Sequence, residues 1–349
     1  MRRQSIKIRV GIWSLIAILP LLASKSVASP SYTITDLGLG AAYGINESGQ
    51  VAGWAGISSF HAFSYLNGVR TIFGGSFGHS TSRAWGINES GVIAGSISGS
   101  LNGDAFRWQN GSGTLIPLID GFGINDAGAI VGDRINGSIV NAAIWADGKI
   151  TDFGGDFTRA LDINNAGQVV GIARDAYGFD NAFVWNDGTL TTLSSADSRP
   201  QDINELGQIV GRNKLANGRK HATLWQSGQA IDIDTLNTFD SEAYAINDAG
   251  TVVGFAGRAF IYQDGQMQLL NDLVPANSGW DLNTALDINN AGLIVGSGEF
   301  QGGTHAFLLT PVVPLPPGMT AALFLLACIG LYRGLKWGVN YLIVGYTVK

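Results

Sequence analysis

Cysteine is almost absent from this chain. Its one copy, Cys328, sits in an apolar C-terminal segment, so the rest of the protein has no disulfide, thiol chemistry or cysteine-ligated metal to draw on. Charge is scarce as well, at 14% of residues, and it is unevenly placed. The first 28 residues carry five Lys or Arg and those after Pro311 carry three, with no acid in either stretch. Between them stand 13 basic and 27 acidic residues, a net of −14. So acidic a body speaks against nucleic acid as a partner and suits cations, basic proteins or neutral glycans. Solubility explains the acidity equally well. No catalytic motif stands out.

What the chain has in abundance is glycine, 49 residues, and much of it recurs in register. The unit GINESGQVAG at 44–53 returns with its asparagine at Asn46, Asn88, Asn125, Asn164, Asn204, Asn247 and Asn289, spaced 42, 37, 39, 40, 43 and 42. Each copy keeps an Ile before the Asn, a Gly three after it and a second Gly seven after it. Asn-x-x-Gly is turn chemistry: the Asn caps the backbone and the Gly supplies the left-handed conformation that closes a hairpin. About fifteen residues on, a second signature follows, as in Ala105-Phe106-Arg107-Trp108 with Asn110-Gly111, or Ala182-Phe183-Val184-Trp185 with Asp187-Gly188. Asn-Gly and Asp-Gly between β-prone runs mark a further hairpin.

Each period therefore holds four short strands, A to D, which predicts an all-β, seven-bladed β-propeller over residues 29–311. The seventh copy stops at Pro311 without a fourth strand. The stretch Tyr32-Thr33-Ile34-Thr35-Asp36-Leu37-Gly38 resembles the D strands and is expected to supply it, closing the ring and removing open edges. The glycine ending each B strand is expected to serve close backbone approach. The tryptophans Trp108, Trp145, Trp185 and Trp225 are expected between blades.

The two ends read as targeting segments. Arg2, Arg3, Lys7 and Arg9, the apolar run Val10 to Leu22 and then Ser26-Val27-Ala28 have the three regions of a signal peptide, residues 1–28. An uncleaved anchor is the other reading. At the far end a proline-rich spacer at 312–318 precedes an apolar segment at 319–337, expected to be a transmembrane helix, whose Arg333 and Lys336 place its C-terminal side in the cytoplasm. A short tail, 338–349, completes the chain.

With His61-Ala62-Phe63 and His305-Ala306-Phe307 spelling the triplet, the repeats resemble the HAF repeats of bacterial extracellular proteins. The motif Val313-Pro314-Leu315-Pro316, followed by an apolar helix and basic residues, resembles the VPLP variant of the PEP-CTERM sorting signal. The resemblance implies an exported protein of a Gram-negative bacterium, first anchored in the inner membrane. An exosortase-type enzyme would then process it and pass it to the cell surface or exopolysaccharide matrix. It implies no chemistry.

A–B and C–D turns are uniformly tight, whereas D–A stretches vary, so the face carrying the D–A and B–C loops is the expected binding surface. Its candidate ligand-binding residues are His79, Phe239, Asp240, Glu242, Trp280 and Asp281 on D–A loops, and Arg212, Lys214, Arg219 and Lys220 on a B–C loop. Trp280 beside Asp281 would offer a sugar an aromatic face and a carboxylate. The plainer reading is that Trp280 packs its own loop and the basic run is solvated. Asp162, Asp202 and Asp287 share a position on A strands, where bonding backbone amides is the expected use. His61, His221 and His305 share another, read as a polar bridge; they lack zinc-ligand spacing, and the turns have too few acids for calcium, so no metal and no cofactor is expected.

These readings point to a non-enzymatic exported propeller of the cell envelope or exopolysaccharide matrix that binds extracellular polysaccharide or an envelope protein, or serves as a structural component there. The alternative is a propeller glycoside hydrolase or polysaccharide lyase using Asp240, Glu242, Asp281 or Asp287 as acid and base.

Overall fold

The computed structural model describes residues 32–312, apart from 57–58, 79, 99–103, 138, 195–196 and 238–239. The expected signal peptide, spacer, sorting motif and C-terminal helix lie outside the described residues. Among the described residues no helix is long and apolar enough to cross a membrane.

The secondary structure of the described residues is strand, with two short 3-10 turns. The chain opens with β1 (Tyr32–Ile45), β2 (Val51–Ala55), β3 (His61–Leu66) and β4 (Val69–Ile72). Five antiparallel four-stranded sheets follow. They are β5 to β8 (Thr81–Ile87, Ile93–Ser98, Asp104–Gln109, Ser112–Ile116) and β9 to β12 (Asp120–Ile124, Ile130–Asn136, Ile139–Ala146, Lys149–Phe153). Next come β13 to β16 (Thr158–Ile163, Val169–Arg174, Asp180–Asn186, Thr189–Ser194) and β17 to β20 (Arg199–Ile203, Ile209–Lys214, Lys220–Gln226, Gln229–Asp232). The fifth is β21 to β24 (Glu242–Ile246, Val252–Phe255, Ala259–Gln263, Gln266–Leu269). The described residues close with β25 (Asp281–Ile288), β26 (Ile294–Phe300) and β27 (Gly303–Pro311), which join the first four strands in a seven-stranded sheet ordered β25-β26-β27-β1-β2-β3-β4.

The expected fourth partner for the last repeat is present: Tyr32 to Leu39 pair with Pro311 to His305, while Gly40 to Ile45 turn to pair with β2. Sequence reasoning treats these as two strands, but the structure makes them one. Gly40 permits the change of partner, because a Cβ there would run into the carbonyl of Trp54.

The repeat signatures now have physical causes. In each A strand one residue is bulged out of the ladder, as between Ala42 and Gly44, Ala160 and Asp162, or Ala285 and Asp287. The bulge presses the A-strand backbone against the next strand. A Cβ on Gly171 would collide with the carbonyl of Arg159, and one on Gly296 with that of Thr284. The phenylalanine of the Ala-Phe unit lies over the same glycine: Phe63, Phe106, Phe183, Phe260 and Phe307 are all fully buried. Seven apolar clusters form the core, each drawing on neighbouring groups of strands. Each fully buried phenylalanine contributes about 1.5–3 kcal/mol by removal from water. Trp108 and Trp225 are buried in such clusters, and Trp145 and Trp185 pack against them.

Polar contacts tie the groups together. Buried Ser82, Thr158, Ser198 and Ser241, each next to or at the start of an A strand, accept the amides of Ala62, Ala142, Ala182 and Ala222 in the preceding group at 2.9–3.0 Å. The repeat asparagines close a full circle: the side-chain amide of each donates to the carbonyl of the next, from Asn46 to Asn88 at 3.1 Å round to Asn289 on Asn46 at 3.0 Å.

Candidate functional site

The bulge that shapes each A strand also decides what faces the axis. The extra residue, three before each repeat asparagine, is Tyr43, Trp85, Phe122, Leu161, Gln201, Tyr244 or Leu286, and all seven line an axial cavity of about 380 Å³. A bulge re-aims a side chain that a regular ladder would place elsewhere. Tyr43 and Trp85 meet edge to face at 4.7 Å, and Trp85 and Phe122 lie 6.0 Å apart. Arg199 reaches the same cavity, half-buried, its Nε without a partner and its pKa lowered by burial. Burial pushes the Tyr244 hydroxyl up to about 12, with nearby Glu242 adding to the rise.

One residue further along each A strand stand Asp162, Asp202 and Asp287, with glycine or alanine in the other repeats. They line both this cavity and a second one of about 200 Å³ that continues the axis toward the Asn-x-x-Gly turns. The backbone-binding role expected of them is what the structure has. Asp287 accepts from Ile45 at 2.7 Å, Asp162 from Ile203 at 3.1 Å and Asp202 from Ile246 at 2.7 Å, each bond crossing to the next group of strands. Although each faces the channel, each is enclosed by protein, and burial raises all three pKa values. For Asp162 and Asp287 the neighbouring Asp202 charge adds to the rise. Asp162 and Asp202 lie close enough to interact directly, which adds to the rise at Asp162 and opposes it at Asp202. At one equivalent position glycine is a packing requirement: a Cβ on Gly123 would lie 2.5 Å from Asp162 Oδ1.

The second cavity ends in another closed ring. The residue after each repeat asparagine offers its side chain to the amide of its predecessor, from Glu47 on Glu89 at 2.9 Å round to Asn290 on Glu47 at 2.9 Å. Five of these seven are acidic, and burial raises the pKa of Glu89 and Glu205.

No protein-family model matches the chain, and no curated protein does. Among solved structures, the β-propeller domain of the Trilobed protease from Pyrococcus furiosus aligns with a TM-score of 0.52 at 11% identity, over 79% of this chain and 94% of that one. YCF48 bound to D1 peptide aligns with a TM-score of 0.52 at 15% identity, over 84% of this chain and all of that one. Pyrococcus horikoshii acylaminoacyl peptidase gives 0.52 at 12%, and there this chain spans about half of the longer protein, 52%.

The chain is a β-propeller.

Identities this low establish the fold alone. The propeller disperses the loop residues singled out from sequence. His79 and Phe239 lie outside the described residues. Trp280 is half-buried and stacks on Phe300 at 4.6 Å, with Phe307 and His305 edge-on, so it packs its own loop against the propeller's last strands. Asp281 is bound by Arg258 at 2.8 Å and by Asn271 at 3.3 Å. Asp240 accepts the Lys220 amide, and Lys220 and Lys214 both reach Asp197, at 2.9 and 3.8 Å. Arg219 sits in the intervening turn, where Asn217 binds its amide. Of the described candidates, Glu242 and Arg212 approach the axial cavity: Glu242 accepts from Gln201 at 2.6 Å, with the Arg212 guanidinium 3.5 Å away. Two of the three histidines make the expected polar bridge, His221 to Asp232 and His305 to Asp36, both at 2.9 Å, while His61 meets only the Ser59 hydroxyl, at 3.2 Å. Among the described residues no group of three His, Cys, Asp or Glu is placed to hold a metal ion.

Sequence reasoning overlooks Tyr43, Trp85, Phe122 and Tyr244. The signal that finds them is positional: aromatics at one fixed offset before the repeat asparagine, in four of seven copies.

Proposed function

We propose that this protein is an exported, non-enzymatic binding propeller of seven blades that holds an extracellular polysaccharide at its axial cavity. The seven-stranded sheet is read as two four-stranded blades sharing β1, and the circle of seven asparagine bonds supports that count. The observation that carries the function is the belt of Tyr43, Trp85, Phe122 and Tyr244 beside Gln201, Arg199 and three carboxyl groups. Aromatic faces take the C–H surface of a sugar ring, while an amide, a guanidinium and carboxyls take its hydroxyls. The HAF-like repeats, the leader and the VPLP tail support an address in the envelope or matrix, reached through an exosortase-type enzyme.

A glycan-cleaving activity is the second reading, favoured by the carboxyl pair Asp162 and Asp202 in that cavity, where burial raises both pKa values. Of the acids named from sequence, Asp281 is engaged elsewhere with Arg258 and Asp240 with the Lys220 amide, whereas Asp287 lines this cavity and Glu242 lies beside it through Gln201.

Size-exclusion chromatography of the purified protein with polysaccharide from the matrix of its own bacterium tests both. Co-elution with an unshortened polymer, weakened by Trp85→Ala, is the expected result. Shortened polymer, with activity lost in Asp162→Asn, would replace binding by catalysis. No co-elution and no shortening would sink the polysaccharide reading.

A further inference from the structure

A third cavity, of about 360 Å³, opens between β10–β11 and β13–β15, away from the axis. Its walls are apolar, with Ile119, Val140 and Ile172, and its charged groups are two carboxylate–guanidinium pairs. Asp133, only 3% exposed, is bound through one oxygen by Arg159 Nε at 2.6 Å, while its other oxygen has no partner. Arg174 and Asp180 pair at 3.1 Å nearer the solvent. Buried carboxylate oxygens are rarely left unsatisfied without a cause such as a ligand.

At the rim stands Phe157, 57% exposed and held at a φ of 58°, a left-handed conformation unusual for a bulky residue. The loop is pinned from below, since Thr158 Oγ1 donates to the Gly155 carbonyl at 2.7 Å and accepts the Ala142 amide. An aromatic ring is thus fixed in solvent beside a cavity whose floor carries an unused acceptor.

We propose that this cavity is a second saccharide subsite, taking one neutral sugar residue of the polymer held at the axis, and in that respect it rests on the function proposed above. Charge balance selects the occupant's class. A cationic group would meet Arg159 and Arg174, an anionic one Asp133 and Asp180, whereas a neutral ring can give a hydroxyl to Asp133 and lay its C–H face on Phe157. The volume lies within the range of small-molecule sites, roughly 300–1,000 Å³. The two sites are neighbours: the Arg159 guanidinium that binds Asp133 also lies 5.4 Å over the ring of Phe122, in the axial belt.

The test uses the full chain with labelled Ile and Val methyls and tryptophan indoles, titrated with cellohexaose, laminarihexaose and mannohexaose. At least one hexasaccharide is expected to shift the Ile119, Val140 and Ile172 methyls. Phe157→Ala, which removes a solvent-facing ring and leaves the core intact, should raise the dissociation constant read there about tenfold, and Arg174→Gln should raise it too. Methyl shifts without any change at the Trp85 indole would support this subsite and count against the axial reading. Shifts at Trp85 alone would overturn the subsite and leave the axial reading standing. Silence at both with all three sugars overturns the subsite, as do methyl shifts indifferent to Phe157→Ala. So would a neutral peptide, Gly-Leu-Ser, moving these methyls where no sugar does.

Discussion

The side-chain amide of Asn289 donates to the backbone carbonyl of Asn46 at 3.0 Å, across 243 positions of sequence. The same asparagine accepts the Leu293 amide through its oxygen at 2.9 Å, so one buried side chain both shapes its own turn and ties the end of the chain to its beginning. Replacing Asn289 by Ala leaves the Leu293 amide without its acceptor and takes one of two donors from the Asn46 carbonyl, which keeps the Gly49 amide at 2.9 Å. A loss of about 1–3 kcal/mol in urea unfolding is expected. A change below about 0.5 kcal/mol would mean that the circle does not hold the propeller shut.

The N-terminal strand closes the same circle through backbone pairing. Tyr32 is buried in the cluster of the last strands, and Asp36 accepts from His305. Removing residues 32–39 bares the whole edge of β27, so the truncated chain should aggregate or melt well below the intact protein. Wild-type solubility and melting would show the pairing to be dispensable.

Gly171 is the sharpest packing constraint open to test. A Cβ there meets both the Arg159 carbonyl and the Phe183 ring, and neither can yield without moving a strand or a buried side chain. Gly171→Ala is expected to cost at least about 2–3 kcal/mol. Gly75, in open space with ordinary φ, is the control and should tolerate Ala nearly neutrally. Equal effects at the two positions would refute the close-approach explanation.

Asp133 makes stability depend on pH in the less usual sense. Burial raises its pKa to about 6 despite Arg159, so the folded state holds a proton that the unfolded chain has released. Between about pH 4 and pH 6 the native state binds more protons, and stability must fall as pH rises, by about 2–3 kcal/mol for this group, then level off. Asp162, Asp202 and Asp287, also raised, push in the same direction. Urea midpoints should be higher at pH 5 than at pH 7.5, and Asp133→Asn should shrink that difference. Midpoints that rise with pH over this interval would contradict the burial of these acids.

What the sequence by itself determined is whatever a short stretch of chain can enforce. Asn-x-x-Gly and Asp-Gly dictate hairpins through local backbone conformation, so the four strands per repeat, their order and the missing last strand were legible before any contact was known. The use of Asp162, Asp202 and Asp287 on backbone amides was legible too, because a repeated carboxylate on an inner strand has amides in reach.

Only the tertiary structure decided which side chains share a site. The bulge that turns Trp85 and Tyr244 toward the axis depends on a close-packed glycine in the next strand, and the belt exists only once all the A strands meet around one line. Trp280 and Asp281 read as a sugar platform along the chain, yet Phe300 covers the one and Arg258 binds the other, contacts that connect residues about 20 apart. Asp133 and Arg159 meet across two sheets, 26 positions apart. Local turn chemistry cannot encode such pairings, because they depend on how each sheet packs against its neighbour.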